Sequence, residues 1–366
     1  MSKAAELAAL IGSQSALSNR NLIINGAMQV AQRGTSSTSA GYQTVDRFKN
    51  AFSGVAVTQS QETLTSGDPY DVGFRHFYRQ TNTSVSSATS AYLQVEQRIE
   101  AQNISQSGWN YKSSSSYITI SFWARSSLTG TYYVQLRTHD GTEYRRNLSF
   151  TLVADTWKKI EVTTAGNSNL QINNDNDSGL TVFITPHYGT DFTGGEEIST
   201  TDWFDRNGQA DAYYPDYAQN WSNTASATFD ITGVQLEVGE QDTPFEHRSY
   251  GDELARCQRY YYAHADGAAQ SIGFGANYSS TLLTSQVHFP VTMRSAPTLV
   301  QGSGTDYYRF RRSNGSDLFN SFTATQTPST TAVALDCNAN ISGTQGDGGR
   351  VFTENASAYI HFDSEL

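Results

Sequence analysis

From residue 22 to residue 238, apolar and polar side chains alternate in short segments. A period of two is the pattern of half-buried strands. The segments are 51–61 (AFSGVAVTQSQ), 92–99 (YLQVEQRI), 117–126 (YITISFWARS), 131–138 (TYYVQLRT), 157–163 (WKKIEVT), 180–186 (LTVFITP) and 228–238 (TFDITGVQLEV). Within 117–126, Ile118, Ile120, Phe122 and Ala124 fall on one face. Asp140-Gly141 follows 131–138 and predicts a hairpin with 143–152. The run 21–26 (NLIING) reads as strand closed by an Asn-Gly turn, and 100–107 allows one or two helical turns. Strands recurring every ten to twenty residues, with almost no helix between them, predict an antiparallel sandwich or jelly roll.

A second unit follows. Residues 249–257 (SYGDELARC) predict a short helix, and alternation returns at 259–263, 270–278, 282–289, 307–311, 331–335 and 358–362. No stretch repeats at a period of 20–50 residues, so solenoids and β-helices are not supported. At the N-terminus, Ala4, Leu7, Ala8 and Ile11 follow helical spacing with Leu10 beside them, between a Ser2 cap and a Gly12 stop. A helix of about ten residues is marginal alone and needs a partner. It reads either as an anchor to a larger assembly through Leu7, Leu10 and Ile11, or as a frayed terminus. Glu6 and the short, Ala-rich apolar stretch argue against a signal peptide. The expected fold is all-β: an N-terminal short helix in an anchoring segment (1–20), a jelly-roll β-sandwich (21–248) and a second, smaller β-sandwich (249–366).

Composition narrows the function. Of 366 residues only 16% are charged, and the net charge is −11. That sign argues against nucleic acid as a partner. The 12% aromatic content is far too high for a disordered chain. No apolar run is long enough for a membrane-spanning helix, so no membrane insertion is expected. Two Cys, at 257 and 337, cannot build a disulfide framework or a cysteine-only zinc site. They can pair within the second unit or stay as buried thiols, and free thiols are the preferred reading. Few charges and many hydroxyls suit an extracellular or particle-surface β protein.

Catalytic patterns are absent. There is no G-x-S-x-G elbow, Walker A loop, H-E-x-x-H or C-x-x-C, and no His lies four residues from another. Glu96/Glu100 and Glu196/Glu197 are the nearest candidates for a glycosidase pair. Residues 173–179 (NNDNDSG) hint at calcium, but Ser178 and Ile184 stand where an EF-hand needs Gly and Glu. A polar turn is the commoner outcome, and no cofactor is expected. Arg145-Arg146 and 309–312 (RFRR) are the arginine clusters. Aromatic residues interleaved with basic ones can grip single strands, but in an acidic chain an exposed strand face or an ion pair between subunits is the better reading.

The aromatics concentrate at 203–221 (WFDRNGQADAYYPDYAQNW). Pro215-Asp216 and the missing alternation make this a loop. Aromatic faces stack on sugar rings while neighbouring amides and carboxylates bond sugar hydroxyls. Tyr213, Tyr214, Tyr217 and Trp221 are therefore the candidate carbohydrate-binding residues. The alternative is that these rings close the end of the sandwich, as expected for Trp203.

Blocks of the chain resemble a known family. Residues 19–34 (NRNLIINGAMQVAQRG), 44–48 (TVDRF), 97–100 (QRIE), 120–125 (ISFWAR), 231–239 (ITGVQLEVG), 243–250 (TPFEHRSY) and 253–261 (ELARCQRYY) occur in this order. They resemble bacteriophage tail-fibre and virion appendage proteins, and the start MSKAAELAALIG is similar to marine-phage members. SFWARSS with TWKKIEVTT further on also resembles carbohydrate-binding jelly rolls. The resemblance implies a non-enzymatic structural protein of the virion, located at the phage tail or capsid surface. It would be a homotrimer with other virion proteins and host surface polysaccharide as partners. Two alternatives stand beside it: a purely structural capsid-decoration or fibre-joint protein with no glycan ligand, and a polysaccharide depolymerase.

Overall fold

The computed structural model describes residues 19–194, 198–205, 213–324 and 329–366. The expected N-terminal helix, with Leu7, Leu10 and Ile11, lies outside the described residues, as do Glu196 and Glu197. The chain divides into two compact units, one reaching Tyr250 and one running from Gly251 to Glu365. Both are β-sandwiches.

The first unit holds β1 (Ser36–Ser37), β2 (Lys49–Ser53), β3 (Val57–Thr63), β4 (His76–Asn82), β5 (Tyr92–Glu100), β6 (Tyr117–Ser126), β7 (Gly130–Thr138), β8 (Tyr144–Leu152), β9 (Lys158–Ala165), β10 (Ser178–Tyr188), β11 (Phe204–Asp205) and β12 (Thr228–Val238). Short helices α1 (Asp68–Asp71) and α2 (Ala101–Ser105) interrupt them. One sheet has the order β1-β3-β4-β12-β6-β9 and the other β11-β8-β7-β10-β5-β2, with every strand pair antiparallel. The alternation read from 117–126 decides how they pack. Ile118, Ile120, Phe122 and Ala124 face inward and join Leu93, Val95, Val134, Leu136, Val182 and Ile184 of the other sheet in one buried core. The Asp140-Gly141 hairpin forms as expected between β7 and β8, with Gly141 at φ 63°.

Two expectations are corrected. The segment 51–61 is not one strand: Gly54 turns at φ 67°, with Ala91 Cα 3.0 Å from where a Cβ would lie, and the chain crosses there from the second sheet to the first. The run 21–26 is not a strand either. Asn25 sits at φ 61°, and its amide bonds the backbone of Val30 in both directions and the carbonyl of Asp46. A left-handed backbone held by its own side chain ends any ladder there.

This irregular segment is the clasp of the unit. Leu22 N–H donates to Leu236 O (2.9 Å) and Val234 N–H to Gly26 O (2.9 Å). Gln97 brackets Ile24, accepting from its N–H (2.8 Å) and donating to its carbonyl (2.9 Å). Glu246 accepts the N–H groups of Asn19 and Asn21, while Arg248 donates to the carbonyls of Asn21 and Ile23. Arg47, fully buried, donates to Arg98 O (2.6 Å). Five of the blocks that carry the sequence resemblance (19–34, 44–48, 97–100, 231–239 and 243–250) thus meet along one seam of the sandwich.

The second unit opens with α3 (Tyr250–Gln258), whose first residue belongs to the preceding unit. Its strands are β13 (Tyr261–Asp266), β14 (Ser271–Ser279), β15 (Leu282–His288), β16 (Thr298–Gln301), β17 (Tyr308–Arg312), β18 (Gly315–Phe319), β19 (Thr323–Ala324), β20 (Ala332–Cys337), β21 (Gly348–Thr353) and β22 (Tyr359–Asp363). A three-stranded sheet (β13-β22-β16) packs on a seven-stranded one (β18-β17-β21-β14-β15-β20-β19) through Ile360, Phe362, Ile272, Leu283, Phe310 and Val351. Cys257 and Cys337 are both buried and do not form a disulfide with each other, and burial pushes the Cys337 thiol pKa up.

Candidate functional site

In the first unit the outward positions of the second sheet form a continuous polar and aromatic face. Period two places Tyr92, Gln94, Glu96 and Arg98 of β5 on it. Strand register aligns their neighbours: Lys49, Glu96, Phe183, Gln135 and Asn147 make one cross-strand row, and Arg98, Thr181, Arg137 and Arg145 the next. The bulge near the end of β10 brings Tyr188 opposite Tyr92, and these rings stack at 5.2 Å.

The loop after β10 lies on this face. Phe192 sits edge-on to both Tyr92 (6.0 Å) and Tyr188 (5.8 Å), and Tyr213 packs on Phe192 at 5.8 Å. The carbonyl of Tyr213 accepts from Gln135 (2.8 Å) and Asn147 (3.1 Å), which fixes the loop to the sheet. The result is a pocket of 260 Å³ lined by Tyr92, Gln94, Arg137, Arg145, Tyr188 and Tyr213, with Phe183 and Phe192. Arg145 lies 4.6 Å from the Tyr213 ring centre, a cation–π distance. Tyr188 donates to Gln94 Oε1 (2.5 Å), and Gln94 donates onward to Glu96 (2.9 Å).

The charges on this face are largely paired. Glu96 binds Lys49 and Arg98, each at 3.2 Å, and Glu143 binds Arg137 (2.6 Å) and Arg145 (2.7 Å). Four cations against two carboxylates leave the face positive on an acidic chain. Burial, helped by Arg137 and Arg98, lowers the pKa of neighbouring His139 to about 4, so its ring is neutral at pH 7.

Of the four residues expected to bind sugar, Trp221 and Tyr214 are corrected. Trp221 is 0% exposed, its ring in the core and its indole N–H directed at Thr228 O (3.4 Å), and Tyr214 is 1% exposed. Neither offers a face to a ligand. Tyr217 and Tyr213 remain partly exposed but line different openings. Tyr217 packs edge-on to Tyr133 (5.0 Å) and donates to Thr185 Oγ1 (2.8 Å). It borders a cleft of 480 Å³ with Thr89, His187, Asp216 and Asn220. Trp203 closes the sandwich end as expected, buried against Trp109 with its N–H on Ala165 O (2.8 Å). Sequence reading missed Tyr92, Tyr188, Phe192 and Arg137, and marked Arg145 only as half of a basic pair. The parity of YLQVEQRI and TYYVQLRT marked the outward positions of those strands, but which face a loop would roof was not in the pattern.

Chemistry of other kinds is thin. Glu96 and Glu100 are four residues apart on one strand, roughly 13 Å at 3.3 Å per residue. That exceeds the roughly 5–10 Å of a glycosidase pair. Ser222 Oγ lies 3.0 Å from His187 Nε2 and Thr181 Oγ1 2.6 Å from His139 Nε2, but Ser222, His187 and Thr181 are all buried. His187 Nδ1 has no hydrogen-bond partner, so no carboxylate orients the ring. Among the described residues no group of three His, Cys, Asp or Glu could hold a metal ion. No helix among them is long and apolar enough to cross a membrane. A third opening, 510 Å³ between Val72, Phe74, Trp123, Phe245 and His247, is apolar and carries only the Lys159–Asp242 pair as a charged feature.

Burial lowers the His187 pKa to about 4. The unfolded chain takes up this proton from about pH 6.5 downward while the folded one does not. The neutral buried ring therefore costs stability progressively as pH falls from 6.5 to 4. His187→Gln removes that dependence. Between about pH 7.5 and 4.5 the stability difference should move by about 2 kcal/mol in the variant's favour, measured by urea unfolding at each pH.

No known protein family matches the sequence, and no curated protein matches it. Solved structures with a similar chain path include the enzymatically active domain of tailspike protein 4 of bacteriophage CBA120, at 11% identity and a TM-score of 0.33. That match covers 60% of this chain and 22% of the tailspike chain. The family 11 carbohydrate-binding module of the Clostridium thermocellum cellulase Lic26A-Cel5E matches at 11% identity over 58% of this chain and 98% of its own (TM-score 0.28). The tandem CBM22-1–CBM22-2 domain of Paenibacillus barcinonensis Xyn10C matches at 10% identity over 96% and 98% (TM-score 0.29). At these scores the likeness does not bear on ligand or role.

Proposed function

We propose that this protein is a non-catalytic bacteriophage virion component, a tail fibre or appendage, that adheres to host surface glycan. The observation that carries the binding reading is the pocket on the outer sheet face, where four rings (Tyr92, Tyr188, Phe192, Tyr213) converge with Gln94, Arg137 and Arg145. Rings supply apolar faces for stacking, and the amide and guanidinium groups supply fixed hydrogen bonds to hydroxyls. Its 260 Å³ is a little under the ~300–1,000 Å³ of ordinary ligand pockets, which suits a terminal or branch sugar rather than a long segment. The ordered blocks resembling phage appendage proteins support the virion role. On this reading the segment containing Leu7, Leu10 and Ile11 anchors the chain to the particle, and three copies assemble.

The test is binding of fluorescently labelled protein to host cells before and after periodate oxidation of their surface sugars. Saturable binding abolished by periodate is the expected result. Binding that survives periodate, or no binding from folded protein, would assign the chain to a structural joint or decoration role. Sedimentation velocity at micromolar concentration should show a trimer, and a monomer would overturn that part of the reading.

A further inference from the structure

The seven-stranded sheet of the second unit presents an exposed row that the first unit's pocket does not involve. Phe274 of β14 is 77% exposed and Tyr278 of the same strand 70%. Register places Phe274 opposite Arg350 of β21, and Arg350 opposite Arg311 of β17. Arg311 and Arg350 are both exposed. The opposite-parity positions Asn277, Val351 and Phe310 are buried, so the three exposed side chains share the outer face, and the bulge between Ser271 and Gly273 is what turns Ile272 inward. Strands lie about 4.8 Å apart, so the row spans about 10 Å.

The charges on this row are unanswered. Among the described residues the Arg311 side chain makes no hydrogen bond or ion pair, and the Arg350 side chain makes only a ring contact, 5.7 Å from Phe352. Two cations directly opposed across a ladder repel each other. The nearby acids are occupied elsewhere. Asp317 takes Arg312 (2.7 Å) and the hydroxyl of Ser342 (2.9 Å). Glu354 takes Arg309 (2.6 Å), and Asp347 takes Asn314 and the N–H of Thr344. So of the RFRR cluster, Arg309 and Arg312 are structural, Phe310 is core, and Arg311 alone is free to meet a ligand. Two guanidinium forks beside an open aromatic face match an anionic group carried on an apolar-faced ring.

We infer that this face binds an acidic polysaccharide, with Arg311 and Arg350 on its carboxylate or sulfate groups and Phe274 stacked on a sugar face. The inference rests on the glycan-adhesin reading for the class of ligand alone, since the site lies on the other unit. Affinity electrophoresis of the full chain tests it, using polygalacturonate, dextran sulfate and neutral dextran as probes. Retardation by an acidic probe and not by dextran is expected, weakening as salt is raised. Binding by only one acidic probe would name the acid group as carboxylate or sulfate. The R311A/R350A double variant and F274A should each weaken retardation about tenfold, while K112A, which removes an exposed cation of the first unit outside its pocket, leaves it unchanged. Equal retardation of wild type and R311A/R350A would overturn the inference, as would no retardation by either acidic probe. A change in sedimentation coefficient of the double variant without any loss of polysaccharide binding would instead make the row a contact between copies. Failure of the periodate test with intact polygalacturonate binding would remove the first site and leave this one.

Discussion

Phe192→Ala will weaken binding to host cells about tenfold, a loss of about 1.4 kcal/mol. Phe192 is the ring that joins the two halves of the pocket, touching Tyr92, Tyr188 and Tyr213. It carries no side-chain hydrogen-bonding group, so its removal opens the stacking surface without stranding a polar atom. Truncating a ring at the centre of a small contact takes a large share of the binding energy. Phe192→Tyr keeps the ring and should keep most of the affinity. Tyr188→Ala is a poorer test, because its hydroxyl also anchors Gln94 and its ring packs on Tyr214 at 4.6 Å. Cell binding that is the same for Phe192→Ala and wild type would show that the pocket is not where adhesion occurs.

Gly26→Ala will lower the melting temperature of the first unit more than any surface substitution. A Cβ there would lie 2.0 Å from the Val234 carbonyl oxygen. The same approach carries the Val234 N–H to Gly26 O bond, so relief by moving the chain breaks the clasp. Forced overpacking of a closed site costs about 3 kcal/mol. For a unit of this size that corresponds to roughly 6–12 °C in melting temperature. Gly251→Ala is the control: nothing lies within 4 Å of its Cβ position, and its melting temperature should be unchanged or slightly raised. Differential scanning calorimetry reads both.

The Gly26 contact also explains what the sequence resemblance captures. Asn21, Asn25, Gly26, Gln97, Glu246 and Arg248 all belong to the resembling blocks, and all are engaged along the seam. The pocket residues Tyr92, Tyr188, Phe192 and Tyr213 lie outside every one of those blocks. The resembling blocks supply part of the scaffold, and the rings of the proposed pocket lie outside them.

Much of the architecture was readable from alternation, because a strand with one face in the core must repeat every second residue. Segments 117–126, 131–138 and 228–238 become β6, β7 and β12 for that reason. The hairpin at Asp140-Gly141 follows from turn chemistry that is equally local. Several strands escaped notice. In β4 both faces are largely covered, which hides the period, and β18 and β21 carry glycines in place of patterned side chains.

The aromatic loop shows where local reading stops. Composition at 203–221 marked a cluster of rings but could not say which would point inward. Trp221 went to the core because the largest apolar surface gains most from burial. Tyr213 stayed partly open because Gln135 and Asn147 hold its carbonyl on the outer face of the sheet. Sequence alone determined the all-β class, the period of strands such as β6, β7 and β12, the Asp140-Gly141 turn and the scarcity of catalytic and metal-binding motifs, all of which depend on near neighbours. Only the tertiary structure decided which rings meet, which charges are neutralised and which, like Arg311 and Arg350, are left facing solvent. Those outcomes depend on register between strands distant in the chain, and register is fixed by the packing of the whole sandwich.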